Sequence, residues 1–163
     1  MFTSKTMTSV SISALQMLTD EIKEQFETLF AAAKDEFFHD GVESEFSKTL
    51  LLRVDQYGDV AVEILTPLIM GGNANAAVAS EALRWMGRID DQSTHLSRYR
   101  LLEQALKSGS AWIRDGAILG LASMDDPAAI AAIKQAIDSE PIEELRHEME
   151  QVLAQLESTR LEG

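Results

Sequence analysis

Between Ser11 and Phe38, apolar residues fall at Leu15, Leu18, Ile22, Phe26, Leu29, Ala33 and Phe37. Steps of three and four residues draw one stripe along a helix. Glu21, Lys23, Glu24, Glu27 and Lys34 fall mostly off that stripe, and Asp40-Gly41 supplies a stop. The Ser/Thr-rich residues 1–10 read as a disordered leader. A second helix is predicted over Glu43 to Tyr57, lined by Phe46, Leu50, Val54 and Tyr57. A third spans Asp59 to Met70, with Pro67 inside it as a kink or an early stop. After the loop Gly71-Gly72-Asn73 a fourth helix covers Ala74 to Gly87, and Ser93 or Thr94 caps a fifth that reaches Lys107. The sixth runs from Ala111 to Ser123. Asp125-Asp126-Pro127 then reads as turn, cap and first-turn proline of a seventh that ends near Asp138. The eighth follows Pro141 and ends near Glu157, leaving residues 158–163 as a flexible tail.

No strand-like alternation competes with these patterns, and the turns between helices are short, so the expected class is all-α, built of antiparallel helix pairs. The pairs also repeat. Phe46-SKTLLLRVDQYG, Val78-ASEALRWMGRID, Ile113-RDGAILGLASMD and Leu145-RHEMEQVLAQLE superpose at offsets of 32, 35 and 32 residues. Apolar residues recur at the first, sixth, ninth and twelfth places of this frame in most copies, and Arg114 and Arg146 share the second.

This pattern resembles HEAT repeats, including the HEAT-like repeats of phycobilisome lyases. Ile113, Arg114, Ala117, Leu121 and Pro127 correspond well to a first helix of the form V-R-x-x-A-x-x-A-L-G followed by an Asp/Pro turn. Ala79 stands where the unit around Val78 should carry arginine, and the unit around Phe46 departs further. The resemblance implies one domain over residues 11–157: a short right-handed α-solenoid of about three and a half repeats, with the long first helix covering one end. A single helical hairpin cannot bury its own apolar sides, so stacking must do it. Gly116, Ala117 and Gly120 permit close approach there, and helical glycine at about 1 kcal/mol relative to alanine calls for a tight contact or a ligand held close.

Composition narrows the function classes. In 163 residues there are no cysteines, which excludes disulfides, thiolate catalysis and cysteine–zinc sites. No stretch approaches the roughly 18 apolar residues of a membrane span, and the first residues make a poor signal peptide; the expectation is a cytoplasmic protein without membrane contact. The net charge of −13 disfavours direct nucleic-acid binding. Nine acids and two bases lie in residues 20–45, eight of each in 46–124, and ten acids and three bases in 125–163. Both ends are therefore acidic around a neutral middle, which serves either solubility or a basic protein partner.

Catalytic signals are weak. His39, His95 and His147 are far apart in sequence, no HExxH or glycine-rich phosphate loop occurs, and no serine sits in a G-x-S-x-G elbow. Asp125-Asp126 mimics a carboxylate pair but stands where helix caps belong. No cofactor, metal or catalytic residue is assigned. The group with the composition of a binding hot spot is Arg84, Trp85, Arg88, Arg98, Arg100, Trp112 and Arg114. Its competing reading places both tryptophans in the core and pairs the arginines with Glu81, Asp90, Asp91 and Asp115. The expected function is a non-catalytic protein-interaction scaffold. Two alternatives stand beside it: an acidic immunity protein or antitoxin covering a basic partner, and, by the lyase resemblance, a bilin-handling protein.

Overall fold

The structure is a computed structural model that describes the backbone of residues 3–163 and the side chains of residues 11–163. Among the described residues it contains eight α-helices: α1 (Thr3–Ala32), α2 (Glu45–Tyr57), α3 (Asp59–Met70), α4 (Ala76–Arg88), α5 (His95–Ala105), α6 (Ala111–Met124), α7 (Ile130–Ser139) and α8 (Glu143–Glu162). Single 3-10 turns precede α5 and α7. Local chemistry sets the boundaries. Ser44 and Ser47 form a reciprocal cap at the start of α2, and Asn75 caps α4 by accepting from the Ala77 and Val78 amides. Asp125 ends α6 in the left-handed conformation at φ 52°, and Asp126 accepts from the Ala128 amide to start the next turn. The aspartate pair is punctuation, as its sequence context predicts. α3 runs through Pro67 to Met70.

The helices form two layers. α2, α4, α6 and α8 pack successively in one, and α3 packs on α5 in the other, with α7 against α8. This helix-pair packing is that of a solenoid-like array. The four-copy frame explains the burial. Phe46, Val78, Ile113 and Leu145, at its first place, are all buried. The fifth place holds Leu50, Ala82, Ala117 and Met149, each 0% exposed. The sixth place, read from sequence as part of the apolar set, is less consistent, because Glu150 occupies it in the last copy and is exposed. In the second place, Arg114 and Arg146 both donate from Nη1 to the carbonyl six residues upstream, Ser108 at 3.0 Å and Glu140 at 3.2 Å. The repeated arginine thus fastens the chain entering each helix.

The tightest junction is α4 against α6. A Cβ on Gly87 would stand 1.8 Å from the Gly120 carbonyl oxygen, one on Gly116 2.5 Å from the Ser80 oxygen, and one on Gly120 2.6 Å from the Leu83 oxygen. Backbone meets backbone here, so the glycines serve helix packing rather than a ligand.

α1 differs most from its sequence expectation. Its helical backbone begins at Thr3, well before Ser11, and stops at Ala32 rather than continuing to Phe38. The side chains of the expected leader, residues 1–10, lie outside the described residues. Ile22, Phe26, Phe30 and Ala33 are buried, whereas Leu15 and Leu18 are exposed. The cause is length. At 1.5 Å per residue α1 extends about 45 Å, but α2 and α3, which it covers, extend only about 20 Å. Phe37 is 88% exposed because the helix has already ended. Phe38 takes its role, with its ring 5.7 Å from that of Phe46, which also meets Phe30 edge-on at 5.2 Å. At the other end, residues 158–162 are the last turns of α8 rather than a free tail. Thr159 Oγ1 donates to the Asp125 carboxylate at 2.9 Å, using the group that the α6 terminus places there.

Candidate functional site

The seven residues of the predicted hot spot do not compose one surface. Arg98 is 1% exposed and spends its guanidinium on Thr94 Oγ1 (2.8 Å), the Met86 carbonyl (2.7 Å) and the Asp91 carbonyl (2.8 Å). It fastens the α4–α5 connection, and burial lowers its pKa. Trp85 is buried, with its indole N–H donating to Glu81 at 2.7 Å and the Arg88 guanidinium 4.6 Å from its ring centre. Arg114 donates from Nε and Nη2 to the two carboxylate oxygens of buried Glu140, at 2.7 and 2.9 Å. These three are structural. Arg88 and Arg100 remain exposed. The competing reading therefore describes Trp85 and Arg84, which pairs with Asp115, but fails for Trp112, which is 57% exposed.

Trp112 and Arg84 are linked through Asp115, which lines one groove with Trp112 and accepts from Arg84. Trp112 stands in the first turn of α6, beside a groove of about 290 Å³ between α6 and the start of α8. Ala111, Ile142 and Leu145 form its apolar lining, and Asp115, Glu144 and Glu148 its acidic one. Arg84 donates from Nη2 to Asp115 at 3.0 Å and from Nη1 to Asp40. Burial would lower the Arg84 pKa, but the two aspartates outweigh it and raise it. The Glu148 carboxyl is pushed up, first by burial and then by Asp115 beside it. The groove thus combines an open indole, exposed Ile142 and more carboxylate than its one guanidinium neutralises.

The sequence offered Asp115 as an arginine partner and Asp40 as part of a helix stop, but placed none of Asp40, Asp115, Glu144 and Glu148 in a candidate site. A signal existed for one of them: in the repeat frame, Glu144 precedes Leu145 as Trp112 precedes Ile113, and equivalent places on adjacent same-layer helices are neighbours. Asp40 lies outside the frame, and only the fold brings it to Arg84.

His95, the first residue of α5, and Asp126, the cap before α7, pair as a helix-end fitting. His95 Nε2 lies 2.7 Å from the Asp126 carboxylate. Burial pushes that carboxyl up, but His95 and the Ala128 amide hold it below the usual range. Among the described residues no group of His, Asp or Glu could hold a metal ion, and no helix is long and apolar enough to cross a membrane.

Residues 62–154, more than half of the chain, match the family described as HEAT repeats. The chain belongs to the HEAT-repeat family. The matched span runs from α3 into α8 and so contains the α4–α6 glycine junction, the Arg114–Glu140 pair and the Trp112 groove. No curated protein and no solved structure matches the chain. HEAT membership accounts for the two-layer array. A fold alone does not specify a function; the side chains of the groove do.

Proposed function

We propose that this HEAT-repeat chain is a non-catalytic scaffold that binds another protein through the face where α6 meets α8. The observation that carries this reading is Trp112, a large aromatic left open beside an apolar groove while Trp85 is packed away. Aromatic anchors in small pockets rimmed by charge are the residues from which interfaces draw most of their energy. The array supports it as a rigid base: a short right-handed solenoid whose end is covered by α1.

The acidic lining of the groove, with Glu144 and Glu148, favours one narrower version, in which the scaffold covers a basic surface of its partner as an immunity protein or antitoxin does. That version predicts salt-sensitive inhibition of a toxin encoded beside it. The bilin-handling alternative gains no support from this groove, which contains no histidine and lies at the small end of ligand pockets, about 300 Å³ and upward.

The test is photocrosslinking in cells from a benzophenone side chain placed at Trp112, compared with one at Lys134 on α7. The reading predicts a discrete protein adduct from position 112 and none from 134. Equal or absent labelling from both positions would contradict it.

A further inference from the structure

The charge around Trp112 specifies what fills the groove. Asp115, Glu144 and Glu148 line it, and Arg84, bonded to Asp115, also bonds Asp40, so that four carboxylates share one guanidinium, a formal excess of three negative charges. Trp112 and Glu144 stand in the first turns of α6 and α8, whose N-terminal ends contribute about half a positive charge each. The sum stays near −2, so the groove attracts a cation. An exposed indole face is itself a cation acceptor, best for a planar one. The volume of about 290 Å³ takes one long side chain rather than a folded ligand. Exposed Ile142 and the buried edge of Leu145 suit a methylene stem.

We infer that the groove seats one arginine side chain from a basic segment of a partner protein, with the guanidinium stacked on Trp112 and bonded to Glu144 and Glu148. The inference rests on the reading of the chain as a protein-binding scaffold and adds the chemistry of the partner. Arginine is favoured over lysine because a flat fork can stack on the ring and address two carboxylates at once, whereas an ammonium does one or the other. The crowding that pushes the Glu148 carboxyl up is relieved when a second guanidinium arrives.

The experiment is calorimetric titration of the full chain with blocked hexapeptides of alternating glycine and arginine, glycine and lysine, or glycine and serine. The arginine peptide is expected to bind several-fold more tightly than the lysine peptide and the serine peptide not at all, with weakening as salt rises from about 50 to about 300 mM. Trp112→Ala and the double variant E144Q/E148Q should each weaken arginine-peptide binding about tenfold. The remote exposed pair E21Q/E24Q on α1 should leave it unchanged. Two results would overturn the inference: no arginine-peptide binding, or equal weakening by the remote and the groove pairs, which would mean general adhesion to an acidic surface. Crosslinks from position 112 without arginine-peptide binding would reject the inference and leave the scaffold reading standing. Arginine-peptide binding without crosslinks would reject the scaffold reading and, with it, a partner protein as the source of the arginine.

Discussion

Arg114 and Glu140 face each other across the array as a two-pronged ion pair, Nε to Oε2 at 2.7 Å and Nη2 to Oε1 at 2.9 Å, with the glutamate side chain 1% exposed. Arg114 also holds the Ser108 carbonyl, and Glu140 accepts from the Ile142 amide. One pair therefore ties the entry of α6 to the entry of α8. Removing the arginine strands a buried carboxylate, so Arg114→Ala should destabilise the fold by about 3–5 kcal/mol in denaturant titration.

The same pair sets a pH dependence. The Arg114 hydrogen bonds hold the Glu140 carboxyl below its usual range, against the effect of burial. A depressed folded pKa contributes stability above the unfolded value, and that contribution is lost as pH falls through the folded one. In Arg114→Ala the sign reverses, because a buried unpaired carboxyl has a raised pKa and the folded state then favours the proton. The stability gap between the two proteins should narrow as pH falls from about 6 to about 4. Parallel acid titrations of unfolding would show it; a gap of constant size would contradict the assigned role.

At the α4–α6 junction, Gly87→Ala or Gly120→Ala forces a methyl group against a carbonyl, which cannot rotate away. Each should lower stability by at least about 1–3 kcal/mol. Gly109, whose added Cβ would meet nothing within 4 Å, is the control, and Gly109→Ala should change stability by less than about 0.5 kcal/mol. Thermal melts of the three variants distinguish backbone packing from a general intolerance of alanine.

Helix α1 offers a third comparison along a single apolar stripe. Phe26→Ala empties a fully buried position and should cost about 3–5 kcal/mol. Leu15→Ser and Leu18→Ser alter exposed positions and should change stability by less than about 0.5 kcal/mol. A large loss from either serine variant would mean that the overhanging half of α1 is packed.

This stripe also shows where sequence reasoning stops. Periodicity reports which residues share a helix face, and it correctly aligned Leu15, Leu18, Ile22 and Phe26. It does not report how much neighbouring structure exists to cover that face, which depends on the lengths of α2 and α3. The boundary between α6 and α7 was legible because Asp125, Asp126 and Pro127 carry local capping chemistry, whereas the Ser44 and Asn75 caps, equally local, went unread and the expected starts of α2 and α4 fall two residues early. The arginines were not legible, for the opposite reason. Nothing near Arg98 in sequence reveals that the Met86 and Asp91 carbonyls will fold over it. Nothing near Arg114 names Glu140, 26 residues away. Arginine beside tryptophan looked like one exposed patch, and tertiary hydrogen bonds divided it into internal fastenings, the exposed Arg88 and Arg100, and a single open aromatic.

That open aromatic is the anchor of the proposed protein-binding face. The direct measurement is the affinity of the protein crosslinked from position 112, purified, for the wild-type chain and for Trp112→Ala, with circular dichroism and melting temperature confirming equal folding. The scaffold reading predicts a loss of about thirtyfold, matching the roughly 2 kcal/mol of a hot-spot truncation. Equal affinity of the two chains would contradict it.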